Sequence, residues 1–290
     1  MAASDQTQSD YWNGDAGARW ARHQATFDRV FAPLTERLFA GAALRPGDAV
    51  LDVGCGAGAT ALRAADIVGP SGRVTAADVS APLLAVTARR AASRPPGGAP
   101  IALVEADAQT HAFADAAFTH LISRFGIMFF DDSIAAFANL HRALRPEGRL
   151  TMLCWRAQAE NAWIDHPFGL VRALVPEPEP TPFDAAGPFR FADPARLPGI
   201  LAAAGFRDIA LMPVDEPLVL GHSEAGDPRE AAEAAANFAL DLGPASRLVR
   251  DQTPEIRSRA HAIVLRDFAE RVSNGALRLG AACWLVTAVR

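Results

Sequence analysis

Apolar positions along the chain switch between two periods. From Tyr11 to about Ala43 they recur at helical spacing, with Trp12, Trp20, Phe27, Val30, Phe31, Leu34 and Leu38 on one side. Pro33 predicts a split of this stretch into two helices. From residue 48 to 155 the pattern changes to short apolar runs separated by helical segments. AVLDV, RVTAAD, IALVEAD, FTHLIS and RLTMLCW read as strands. AVLDV is apolar enough to be a parallel strand covered on both faces by helices. Helices are expected over about 59–68, from the cap at Ser80 to the breaker RPPGGAP, and from Asp132 or Ser133 to the turn RPEG. This alternation predicts a doubly wound, mostly parallel sheet.

Beyond Trp155 the rhythm loosens. Residues 156–192, rich in Pro and Phe, read as an insertion over the strand ends. Asp193 opens a helix ending at Gly205, and FRDIALMPV reads as a sixth strand. Residues 227–241 and 254–272 follow as helices, and ALRLGAACWLVTAVR as a long last strand. With a helical excursion between these two strands, pattern alone leaves the sheet order open. Residues 1–10 are polar and read as a disordered tail.

Composition narrows the chemistry. The formal charge of −5 and the lack of a basic cluster argue against a partner held through phosphates. All 28 basic residues are arginine. Schiff-base lysines, Gly-Lys-Ser/Thr phosphate loops and Tyr-Lys oxidoreductase pairs are therefore excluded. No signal peptide or apolar run of membrane-spanning length is seen. The three scattered cysteines, Cys55, Cys154 and Cys283, suit a reduced, cytoplasmic setting, each as a small buried hydrophobe. The seven histidines show no metal-ligand spacing, and no metal site is expected.

The informative segment is VLDVGCGAG, residues 50–58. A strand ending in alternating glycines lets the backbone approach a ligand, with a helix N-terminus just beyond. Gly54, Gly56 and Ala59 also satisfy the dinucleotide pattern G-x-G-x-x-A, so a nicotinamide oxidoreductase is the alternative. Asp52, two residues before the glycines, repels a pyrophosphate and attracts a cation. Asp78 ends the second strand, where a carboxylate can accept both ribose hydroxyls. Asp107 follows the third strand, where it can accept an adenine amino group. Three acids at three successive strand ends define one crevice.

These motifs, with TAADVS, VEADA and LRPEGRLTMLCW, resemble the class I S-adenosylmethionine-dependent methyltransferase family, in its small-molecule subgroup. The resemblance covers most of residues 48–155, and the ending GAACWLVTAVR is similar to the family's final hairpin. It implies a seven-stranded sheet in the order 3-2-1-4-5-7-6, with strand 7 antiparallel. It implies one domain over 1–290: a helical lid (11–43), a cofactor-binding core (44–155), substrate-side insertions (156–192 and 221–274) and a last strand (275–290). S-adenosylmethionine is the implied cofactor and S-adenosylhomocysteine its product. Gly54, Gly56 and Gly58 are then expected near the methionine part, Asp78 and Val79 at the ribose, and Asp107 with the backbone of Ala108 at the adenine. Asp52 joins them, and Trp20 and Gln24 belong to the segment that closes over the cofactor.

One departure stands out: after the fourth strand many relatives place Asn or Asp, whereas this chain has Ser123-Arg124-Phe125-Gly126. The Arg124 fork suits a carboxylate, that of the cofactor or of an anionic substrate, or else a structural ion pair at the crevice rim. A general base is needed only if the acceptor carries a proton that leaves early. His166, beside Asp165, is the first candidate, ahead of His23 and His222. Phe125, Met128, Phe129, Phe130, Trp155, Trp163 and Phe168 suggest walls for an apolar or aromatic small molecule. A cofactor-binding protein without catalysis is a third reading.

Overall fold

The computed structural model describes residues 7–176 and 186–290. Residues 1–6 of the expected tail and 177–185 of the expected insertion lie outside them. The described chain forms two compact units, one of residues 7–155, 186–214 and 283–290, the other of 156–176 and 215–282.

Four helices come first: α1 (Gln8–Asn13), α2 (Asp15–Arg22), α3 (Gln24–Val30) and α4 (Ala32–Ala42). Then β1 (Ala49–Val53), α5 (Ala59–Val68), β2 (Arg73–Asp78), α6 (Ala81–Ala92), β3 (Ile101–Glu105), β4 (Phe118–Arg124), α7 (Ser133–Ala143) and β5 (Leu144–Trp155) alternate. After α8 (Ala162–Arg172) and α9 (Arg196–Ala203) come β6 (Arg207–His222), α10 (Pro228–Leu242), α11 (Pro244–Val249), α12 (Pro254–Arg271) and β7 (Ala276–Val289).

The strands form one sheet in the order β3-β2-β1-β4-β5-β7-β6. The first five are parallel, and β7 runs antiparallel to β5, with Trp155 opposite Cys283. This is the order implied by the family resemblance. All five residues of β1 are buried, as a central parallel strand requires. Val50, Val74, Ala76 and Ile122 pack with Ala61, Ala64, Ala65 and Val68 of α5 and Phe39 and Ala42 of α4. The small side chains of α5 let it lie close on the sheet, which places its N-terminus directly after the glycine turn.

Two local expectations are corrected. Residues 7–10 are ordered, because Thr7 and Asp10 form a reciprocal capping box that starts α1. The stretch from Tyr11 contains more than the two helices expected: it breaks at Gly14 and His23 as well as at Phe31, the break that Pro33 marks. Pro33 occupies the first turn of α4, where its missing N–H costs no helical bond. In addition, β5 begins at Leu144, so the RPEG turn lies within the strand, with Glu147 at φ 62°. The short helix α11 was not foreseen.

The second unit packs α8 and α10–α12 with the adjoining ends of β6 and β7. Its Gly221 is needed sterically: a Cβ there would meet the Ala231 carbonyl oxygen at 2.0 Å. The buried Asn161 amide donates to the Ala157 carbonyl (3.1 Å) and accepts from the Ala282 N–H (2.8 Å). It thus ties the approach to α8 to β7. No helix among the described residues is long and apolar enough to cross a membrane.

Candidate active site

The glycine turn after β1 takes left-handed backbone at Gly54 (φ 67°), Gly56 (φ 55°) and Gly58 (φ 87°). Gly54 is pressed against the turn after β4: a Cβ on it would lie 2.5 Å from Gly126 Cα. No atom stands within 4 Å of the corresponding position on Gly56, so the turn presents bare backbone there. Polar bonds hold the turn from outside. Asp78 accepts the Gly56 N–H at 2.7 Å, the Thr87 hydroxyl donates to the Gly56 carbonyl at 2.8 Å, and Arg90 donates to the Ala57 carbonyl. Arg90 also pairs with Asp28 of α3, whose carboxylate accepts from Gln24 at 2.6 Å.

Sequence reasoning missed Thr60, Thr87, Arg90, Asp28 and Thr35. The available signal was weak: Thr87 and Arg90 lie three apart, on one helix face, and Gln24 and Asp28 lie four apart. Their shared target appears only when α6 and α3 are placed beside the turn.

The three predicted acids occupy the carboxyl ends of β1, β2 and the segment after β3, which are neighbours in the sheet. Asp78 is buried and accepts from Gly56 N and Ser80 N (2.9 Å), leaving acceptor capacity on both oxygens. Burial raises its pKa, and the backbone N–H bonds of Ser80, Gly56 and Val79 oppose the rise. Asp107 is exposed and turns the chain by accepting the Gln109 N–H at 2.8 Å. The Ala108 carbonyl accepts from the Asn139 amide at 2.9 Å, which fixes this backbone.

The N-terminal helices are latched beside Asp78. The Asn13 amide donates to the Val79 carbonyl (2.8 Å) and accepts the Ala81 N–H (2.9 Å), as a neighbouring backbone would. Ser80 donates its hydroxyl to the Trp12 carbonyl at 2.8 Å. Trp20 stacks on Phe27 (centroids 3.8 Å apart) and meets Trp12 edge-on. Tyr11, Trp12, Trp20, Phe27 and Phe31 thus form a run of rings leading to Phe125 and Trp155.

Asp52 is wholly buried. Its Oδ2 accepts the Thr60 hydroxyl at 2.6 Å, while Oδ1 has no partner. Desolvation pushes its pKa up to about 7, against the Thr60 bond and the field of Arg124; the Asp78 charge adds to the rise. Arg124, at the end of β4, donates to the Thr35 hydroxyl and lies over the Phe31 ring, 5.7 Å from its centroid. No described carboxylate lies within 4 Å of it, so it is not the rim ion pair that was one of its three readings. Burial lowers its pKa, opposed by the charges of Asp28 and Asp52. One strand apart, the site holds an anion with a bare oxygen and a cation with no described carboxylate within 4 Å.

Phe125 follows with φ 68°, an unusual backbone for a bulky residue, and its ring stacks on Trp155 with centroids 3.8 Å apart. Strain of this kind persists only where the surroundings impose it. Here Phe125 N donates to the Leu153 carbonyl, and Gly126 abuts Gly54. The seven proposed wall residues divide. Phe125 and Trp155 form one stack, Phe129 meets Trp12, and Met128 and Phe130 are core. Trp163 and Phe168 belong to the second unit.

His166, on α8 of that unit, bonds through Nε2 to Asp267 of α12 at 2.6 Å and stacks on Phe268. Asp267 also pairs with Arg271. Asp165 is not its partner; that carboxylate accepts from Gln158 at 3.1 Å. Among the described residues no group of three or more His, Cys, Asp or Glu is placed to hold a metal ion.

Comparison with known proteins converges on one family. The model of the methyltransferase domain matches residues 50–148. The chain is 32% identical to nocamycin O-methyltransferase of Saccharothrix syringae over 195 residues, 64% of this chain and 69% of that protein. It is 32% identical to demethylmenaquinone methyltransferase of Thermus thermophilus over 171 residues, 54% and 73% of the two chains. Other curated matches are spanned over about half of their own length. Among solved structures, a phosphoethanolamine N-methyltransferase from Haemonchus contortus superposes with a TM-score of 0.57 at 16% identity, over 100% of this chain and 60% of that one. The chain belongs to the class I S-adenosylmethionine-dependent methyltransferase family. Its chemistry is therefore methyl transfer with S-adenosylmethionine as cofactor, which sets aside the nicotinamide alternative.

Proposed function

We propose that the cleft at the ends of β1, β2 and β3 holds S-adenosylmethionine and that its methyl passes by in-line displacement to a small aromatic or apolar organic acceptor. The observation that carries this reading is the buried Asp52 with its unpartnered oxygen, two residues before a glycine turn whose backbone is bare at Gly56. An uncompensated buried carboxylate is costly, and a cationic ligand offsets that cost. A pyrophosphate would add to it.

Bound there, the sulfonium supplies a methyl group already activated for displacement. The chain's own task is alignment and exclusion of water. The backbone of Gly54, Gly56 and Gly58 passes the methionine part; Asp78 and Val79 hold the ribose; Asp107 and Ala108 meet the adenine. Trp20 and Gln24 belong to the covering helices, with Gln24 acting on Asp28. The ring run ending in the Phe125–Trp155 stack supplies a flat apolar wall. It agrees with the small-molecule relatives, named for nocamycin and demethylmenaquinone.

S-adenosylhomocysteine at about 100 times its Kd is expected to add about 2.7 kcal/mol of stability, a rise of several degrees in melting temperature. Asp78→Ala is expected to remove that rise. An unchanged melting curve for the parent protein at millimolar ligand would overturn the cofactor assignment. Binding without methylation of any acceptor in a broad aromatic panel would favour the non-catalytic reading.

The Asn13 latch yields a second expectation. Asn13→Ala removes two hydrogen bonds, each worth about 1 kcal/mol. Dissociation of S-adenosylhomocysteine, followed by the fluorescence of Trp12 and Trp20, should quicken by up to about 30-fold. An unchanged off-rate would show that the latch does not guard the cofactor.

A further inference from the structure

The helical second unit owns an arginine that its acids leave alone. Arg156 pairs there with Glu160 and Asp215, and Arg271 with Asp267. Arg250, which caps the C-terminus of α11, makes no ion pair among the described residues. Its Nε is sealed from water and has no hydrogen-bond partner, and its Nη2 reaches only the Ser246 hydroxyl, at 3.5 Å. Nε and Nη2 make up one of the guanidinium edges that grip a carboxylate with two parallel bonds. That edge is unspent.

The surroundings do not supply an anion. Helices α8, α10 and α12 pack against α11. Their acids are either bonded elsewhere, Asp165 to Gln158, Glu233 to His261 and Asp267 to His166 and Arg271, or exposed, as Asp241 and Glu255 are. Ser246, one helical turn before Arg250, is buried, and no described atom accepts its hydroxyl proton. Ala245, Leu248 and Val249 beside them are buried and apolar. A guanidinium edge desolvated in this way costs stability unless an anion meets it.

We infer that Arg250 and Ser246 form a receptor for a small carboxylic acid with an apolar or aromatic body. The single positive charge balances one carboxylate, whose oxygens take the Arg250 edge and the Ser246 hydroxyl; a phosphate dianion would stay half-neutralised. The inference goes beyond the cofactor reading and does not depend on it. The same carboxylate arrives on either of two molecules, the methyl acceptor or an effector that is never methylated, and the experiment separates them.

The full chain is titrated with benzoate, 4-hydroxybenzoate and hexanoate, each beside its primary amide, and binding is followed by nuclear magnetic resonance. At least one acid should bind more tightly than its amide, by about 10- to 100-fold, the range of a charged hydrogen bond. Arg250→Met should erase that preference and leave amide binding unchanged. Arg250→Lys, which keeps the charge without the fork, should retain part of it. Ser246→Ala should weaken the acid about three- to tenfold. Arg124→Met, a change at the other buried arginine, should leave the preference intact. The preference is read on the parent chain, so a variant that folds poorly does not hide it. If no acid binds better than its amide, or Arg250→Met holds the acid as well as the parent does, the assignment is overturned and Arg250 serves only the end of α11. Labelled S-adenosylmethionine then separates the sources: methyl transfer to bound 4-hydroxybenzoate marks the acid as acceptor, and binding without transfer marks it as effector, the receptor standing in both cases. S-adenosylhomocysteine titrated alongside tests the cofactor reading by itself, and its failure to bind would leave the acid-over-amide result untouched.

Discussion

Asp52→Asn is expected to make the ligand-free protein more stable at pH 8 while destroying its affinity for the cofactor. The Asp52 carboxyl titrates near 7 in the folded chain, against an ordinary value of 3.8. A folded-state pKa above the unfolded one means that ionisation costs stability. The loss begins as pH rises past about 4, grows to about 7 and is constant above. Converted at 1.36 kcal/mol per unit, its ceiling is about 4 kcal/mol. Asparagine keeps an acceptor for the Thr60 hydroxyl and carries no charge, so a gain of about 1–3 kcal/mol and several degrees of melting temperature is expected. The parent protein should gain on acidification from pH 8 to 5.5, and the variant should gain less by the Asp52 share. Because Asp78 is also raised and titrates in the same sense, the difference between the two pH profiles is the measurement that isolates Asp52. Cofactor affinity should run oppositely, falling in the parent below pH 7 as Asp52 protonates beside Arg124 and Asp78. A variant no more stable than its parent at pH 8 would mean that the buried charge is compensated inside the apoprotein.

Gly54→Ala should be strongly damaging although it adds a single methyl group. It places a Cβ 2.5 Å from the Gly126 backbone at a left-handed φ of 67°. Neither side can give way, because a Cβ on Gly126 would in turn lie 2.6 Å from Gly54 Cα, and Gly126 is followed by buried Ile127 and Met128. Conformational cost and overpacking together are about 3 kcal/mol. The β1 and β4 turns must part, so S-adenosylhomocysteine binding should vanish along with a large fall in melting temperature. Gly169→Ala is the control. It lies in α8 with nothing within 4 Å of the added methyl, and a helical alanine should stabilise by about 0.5–1 kcal/mol. Equal melting temperatures for the Gly54 variant and the parent would show that the two turns are not in the tight contact described.

Both changes act at positions a reader of the chain can find without coordinates, and the contrast with the positions that could not be found is physical. The glycines of VLDVGCGAG declare themselves because left-handed backbone admits few other residues, and the strand-helix alternation because burial on both faces forbids polar positions. These local constraints fix the doubly wound core, the crevice at its strand ends and the acids at 52, 78 and 107. The break at Phe31 is marked by Pro33, but those at Gly14 and His23 are not legible, since they depend on what the rings of α1–α4 pack against. The partner of His166 was equally hidden: Asp165 is adjacent in sequence, yet successive helical side chains diverge, and Asp267, a hundred and one residues away, closes the bond. Arg124 shows the division most clearly. Its presence after β4 could be read directly, but whether it was a rim ion pair or an unmatched charge depended on folding. Parallel register alone sets it one strand from Asp52 on the same face, while Arg90 takes Asp28, the acid whose charge reaches Arg124. Sequence determined which charges the chain owns; only the packed sheet decided which of them are paired, because the pairing of buried charges is settled by three-dimensional proximity and not by order along the chain.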